Sequence, residues 1–92
     1  MFESLVDFNI AVEIGYHQEH GTPLTLRQLS LRDIAAFATV RKRLERLIQA
    51  GIVKKSGTLV EADMAELWLT GEASRMFHRY LQQIERLTGI TR

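Results

Sequence analysis

Between Thr25 and Val53 the apolar positions recur at helical spacing. The clearest run is Val40, Leu44, Leu47 and Ile48, with Arg41, Lys42, Arg43 and Arg46 filling positions between them. The pattern predicts an amphipathic helix over 36–50 with a basic outer side. Phe37, seven residues before Leu44, joins the apolar side, while Ala38, Lys42 and Gln49 point away from it. Thr39 and Arg46 flank that outer face, with Arg43 beyond them, and Arg41 and Glu45 lie on the other side. Gly51 stops the helix and Ile52-Val53 opens an extended run. A shorter helix precedes it from Leu26, for which Thr25 supplies a hydroxyl able to accept one of the unpaired first-turn amides.

Upstream, Val6, Phe8, Ile10, Val12, Ile14 and Tyr16 alternate as in a strand, but the same stretch also makes two helical stripes. These are Leu5, Phe8, Val12, Tyr16 and Val6, Ile10, Ile14. Residues 2–20 are read as a helix buried on two sides, ended by Gly21 and the Thr22-Pro23 turn. Downstream, Lys54 and Lys55 extend the strand begun at Ile52, and Ser56-Gly57 opens a loop whose continuation carries Glu61, Asp63 and Glu66. Leu67 and Leu69 of the returning strand face one way and Trp68 the other. Thr70 then caps a final helix over 71–88, in which Ala73, Phe77, Tyr80, Ile84 and Leu87 form a seam thickened by Met76 and Leu81.

In Leu29 and Val40, eleven residues apart, in Ala38-Thr39-Val40 followed by Leu44 and Leu47, and in Gly51-Ile52-Val53, the chain resembles MarR-like winged helix-turn-helix regulators. Leu67-Trp68-Leu69-Thr70-Gly71 extends the resemblance into the strand and helix that follow. Asp33 stands where that pattern usually has an apolar residue, and Ile34 where it usually has the turn glycine, so the turn is expected to be longer or shifted. The expected fold is mainly α with a small β-hairpin, a winged helix-turn-helix with extra N- and C-terminal helices. The helix-turn-helix occupies about 25–50, the wing about 52–69, and the terminal helices about 2–20 and 71–88, in one domain of 92 residues. The resemblance implies a homodimer joined through the terminal helices, and the apolar breadth of both ends supports the same expectation. Phe77, Tyr80, Ile84 and Leu87 are the residues assigned to that contact.

Charge sharpens this picture only when divided along the chain. The total is +1, but residues 1–30 carry a net −3, residues 31–55 a net +5 and residues 56–92 a net −1. The cations therefore gather on the helix-turn-helix and the strand after it, as a phosphate-binding surface requires. Ala38, Thr39 and Lys42 are expected at base edges, where lysine donates to guanine and a methyl group meets the thymine methyl. Arg41, Arg43, Arg46, Lys54 and Lys55 are expected to hold phosphates of double-stranded DNA. The acids after Gly57 argue against deep insertion of the wing tip.

With no cysteine there is no disulfide framework, thiolate metal site or thiol nucleophile. Glycines are scattered at element ends, without a phosphate-cradling loop, and no catalytic constellation is present. Glu13, His17 and His20 share a helix face, but exposed histidines near a helix C-terminus account for that spacing, and His78 is expected at the surface. The chain is thus expected to be no enzyme, to carry no metal or cofactor, to span no membrane and to be cytoplasmic. Transcriptional regulation and a small-molecule effector are implied by the resemblance alone, and no residue identifies the effector. A second reading stays open: a winged-helix module for protein contacts without DNA, which suits the acidic wing and the alanine-rich helix start.

Overall fold

The alternating N-terminal run is helical. The computed structural model describes residues 4–57 and 64–88, and its first element is α1 (Leu5–Glu19), capped by the Ser4 side chain, which accepts from the Asp7 amide at 3.2 Å. The chain continues through β1 (Leu24–Thr25), α2 (Leu26–Ser30), α3 (Phe37–Gln49), β2 (Val53–Ser56), β3 (Glu66–Leu69) and α4 (Gly71–Thr88). Ile10 and Ile14 of the second stripe are fully buried, whereas Leu5 and Tyr16 of the first are exposed. Tertiary contact, and not alternation, decided the conformation: as a helix, this segment packs against α3, α4 and β3 together.

Helix ends follow local chemistry. Thr25 and Gln28 form a reciprocal capping box at the start of α2, with amide-to-side-chain bonds of 3.0 and 3.1 Å. At the end of α3, Gly51 has φ +75°, its amide donates to the Ile48 carbonyl, and the Ile52 amide donates to the Leu47 carbonyl. That left-handed residue satisfies two orphan carbonyls and turns the chain into β2. Gly21 repeats the arrangement after α1, with the same φ and the Thr22 amide on the His17 carbonyl. Between α2 and α3, residues 31–36 form the turn that holds Asp33 and Ile34.

The sheet is antiparallel in the order β1-β3-β2. The expected hairpin is β2 with β3, pairing Val53 with Leu69 and Lys55 with Leu67. The third strand, β1, pairs Leu24 with Leu67 and Thr25 with Glu66, and its two residues are too few to leave a periodic signal. Leu24, Leu67 and Leu69 point into one core with Ile10, Leu29, Val40, Leu44 and Val53, while Trp68 lies half-buried on the opposite face. The loop tip with Glu61 and Asp63 lies outside the described residues, as do Ile90 and Arg92 at the chain end.

Gln18 fixes the terminal helices to this core. Its Oε1 accepts from the Leu69 amide at 2.8 Å and its Nε2 donates to Ser74 Oγ at 3.0 Å, so one side chain joins α1, β3 and α4. Phe77 of α4 packs flat onto Gly15 of α1, where an added Cβ would come within 2.6 Å of the ring. Glycine at this position is what lets the two helices approach so closely.

Candidate nucleic-acid interface

Helix α3 buries Val40, Leu44 and Leu47 and thereby turns its other side outward. Ala38, Thr39, Arg41, Lys42 and Arg46 are all exposed on it. Lys54 and Lys55 are exposed on β2: Lys55 lies against α3, whereas Lys54, paired with Trp68, points to the opposite face of the sheet. Lys55 Nζ stands 3.9 Å from Glu45 Oε1, a loose pair between exposed groups that contributes little and leaves the lysine available.

Arg43 departs from the set expected to hold phosphates. Its Nε and Nη2 donate to the two carboxylate oxygens of Asp7 at 2.6 Å each, and Asp7 is only 2% exposed. The reason lies in the helix period: Arg43 follows Val40 by three and precedes Leu47 by four, which places it at the margin of the buried side, facing α1. Two parallel charge-assisted bonds in a site shielded from water hold the guanidinium in one orientation. Arg43 thus anchors α3 to α1, and the outer cations are Arg41, Lys42 and Arg46.

The turn before α3 is moored to the same helix. Arg32 Nε donates to Glu13 Oε2 at 3.1 Å and Arg32 Nη2 donates to His17 Nε2 at 3.0 Å. Glu13 and His17 of that shared helix face therefore receive an arginine, and His20 Nδ1 lies 2.8 Å from the Tyr16 carbonyl. Among the described residues no group of three or more His, Asp or Glu could hold a metal ion. His78, exposed as expected, sits 2.7 Å from Glu19 Oε1 and adds a contact between α4 and α1. Sequence reasoning missed Asp7 as a partner, although an acid at the spacing of Ile10, Ala11 and Ile14 is a signal that something must compensate it.

The four residues assigned to dimer contact divide between two environments. Phe77 is buried in its own chain's core, and Ile84 is half-buried. Tyr80 is 42% exposed and meets Phe8 edge-on at 6.1 Å between ring centroids, while Leu87 is 86% exposed. Phe8, Met76, Phe77 and Tyr80 also line an apolar hollow of about 170 Å³, floored by Ala11, Leu69 and Ala73. No helix among the described residues is long and apolar enough to cross a membrane.

No family model matches the sequence, and no curated protein matches it significantly. Solved structures do. Staphylococcus aureus MarR, in complex with salicylate and kanamycin, superposes with a TM-score of 0.69 at 24% identity, over 91% of this chain and 53% of its own. AF1382 from Archaeoglobus fulgidus gives a TM-score of 0.69 at 14% identity, over 95% of this chain and 91% of its own. Staphylococcus aureus MepR bound to ethidium bromide gives 0.67 at 14% identity, over the whole of this chain and 68% of its own. The chain spans about half the length of the MarR protein. At these identities the likeness is one of fold, and the fold of this chain is the MarR-like winged helix.

Proposed function

We propose that this chain is a small dimeric DNA-binding protein, a transcriptional regulator that lays α3 in the major groove of a palindromic site. The observation that carries the reading is the outer side of α3, where Arg41, Lys42 and Arg46 are exposed, with Lys55 of β2 beside the helix. Ala38, Thr39 and Lys42 are placed at base edges, and the other three cations hold phosphates and set the register. The 92 residues act as one domain. Tyr80 and Leu87 contribute to the contact between two copies, and a two-fold dimer puts the half-sites about one helical turn, roughly 34 Å, apart. A small-molecule effector is carried over from the neighbours solved with salicylate, kanamycin and ethidium, with no residue assigned to it. No catalytic step is part of this reading, and the protein is taken to work in the cytoplasm.

The test is fluorescence anisotropy of labelled duplex DNA, titrated at two salt concentrations with wild type and with Arg41→Glu/Lys42→Glu. Binding that weakens with salt by about −0.9 in log K per log salt for each neutralised phosphate, and that the double variant loses with its circular dichroism unchanged, supports the reading. Absence of binding at low salt and tens of micromolar protein rejects it, because non-specific contacts register in that range. The protein-contact module then becomes the working hypothesis.

A further inference from the structure

The first turn of α3 carries an apolar edge that the core does not use. Phe37 is 49% exposed although it lies on the apolar side by spacing, whereas Val40 and Leu44 behind it are 1% exposed. The core closes over Val40 and leaves the leading end of the helix outside it. Ala36, Ala38 and Thr39 are exposed around the ring, and residues 34–40 contain no charge at all. Cations begin immediately afterwards, at Arg41 and Lys42.

An exposed aromatic edge bordered by cations has an identifiable partner chemistry. Phosphates and guanine edges call for hydrogen-bond donors, which Phe37 and Ala38 lack in their side chains. The apolar group that a duplex displays in its major groove is the thymine C5 methyl. Arg41, Lys42 and Arg46, exposed behind that edge, favour a polyanion over an uncharged apolar partner. In helix-turn-helix docking it is the N-terminal residues of the recognition helix that meet base edges.

Resting on the reading of α3 as the DNA-contacting helix, we propose that Phe37, with Ala38 and the methyl group of Thr39, reads thymine methyl groups. Phe37 is then a specificity-determining residue. The preferred site carries thymines where the leading end of α3 enters the groove, once in each half of a two-fold site, and the cations behind that edge supply affinity.

The experiment begins with selection of preferred sites from random duplex DNA by the wild-type protein. The selected site is then synthesised with deoxyuridine in place of each thymidine in turn, which removes one methyl group and nothing else. Wild type should bind about fourfold more weakly for each contacted methyl lost, at one or two positions per half-site. Phe37→Ala should be indifferent to the same replacements, Phe37→Leu should keep part of the preference, and the salt slope should be equal in all three. Phe37→Leu keeps an apolar side chain and carries the test if the alanine variant fails to fold. Wild-type binding indifferent to deoxyuridine, or a methyl preference that Phe37→Ala keeps in full, overturns the proposal. Salt-dependent binding from which no sequence is selected overturns it while leaving α3 as a DNA-binding helix, and no binding at all overturns both.

Discussion

Helices α3 and α4 are both amphipathic, yet they leave opposite halves of themselves uncovered. Helix α3 buries Val40, Leu44 and Leu47, and its exposed side carries Arg41, Lys42 and Arg46. Helix α4 buries Ala73 and Phe77 near its start, then leaves Met76, Tyr80 and Leu87 exposed along its length. A solvated cationic side is stable in water and attracts an anion from a distance. A row of exposed apolar groups gains by being covered at close range. The difference is the basis for proposing two kinds of partner: a polyanion for α3 and a second apolar surface for α4.

The most severe way to break this comparison is to remove what orients α3. Asp7→Ala leaves the Arg43 guanidinium partly buried beside an apolar helix without its carboxylate, and should lower stability by about 4 kcal/mol in urea denaturation. Adding Arg43→Met to that variant should restore most of the loss, since an apolar replacement removes the stranded charge. A smaller effect is expected from Arg41→Glu/Lys42→Glu: DNA affinity should fall roughly fiftyfold at moderate salt, through the loss of one phosphate contact and one base-edge contact. Its unfolding free energy should stay within about 0.5 kcal/mol of wild type, as for other exposed sites. Loss of stability comparable to that of Asp7→Ala would show that the outer cations hold the fold, and the contrast between the two sides of α3 would collapse.

On the α4 side, Gly15→Ala drives a methyl group into the Phe77 ring and should cost about 2 kcal/mol in thermal unfolding. Tyr80→Glu/Leu87→Glu should leave the monomer's stability almost unchanged but shift sedimentation from dimer toward monomer at micromolar protein. A wild type that sediments as a monomer at about a hundred micromolar removes the partner assigned to α4. The smallest change is Thr25→Ala, which removes one half of the capping box and should cost about 1 kcal/mol.

Much of this arrangement is legible in the chain because the signals are local. Val40, Leu44 and Leu47 define α3 by spacing, Thr25 announces α2, and Gly21 and Gly51 mark the ends of α1 and α3 where a positive φ is needed. What stayed hidden depends on pairs distant in sequence. Asp7 and Arg43 are 36 residues apart, and each alone reads as a solvated charge until the helices that carry them are in contact. Phe37 reads as core because the helical period says which side it is on, but not where the neighbouring elements stop covering that side. The strand β1 escaped for a third reason: its two residues belong to a sheet only because Glu66 and Leu67 lie alongside.

Thr25 joins strand β1 to helix α2. It is paired with Glu66 at the root of the returning strand, it caps α2, and the next amide, that of Leu26, donates to the Ala65 carbonyl at 3.3 Å. Wing and helix-turn-helix therefore share a joint and are not interchangeable parts. A chimera that imports another protein's wing must import its register at residues 65–67 as well, or the transplanted loop will unseat α2, the helix that precedes α3.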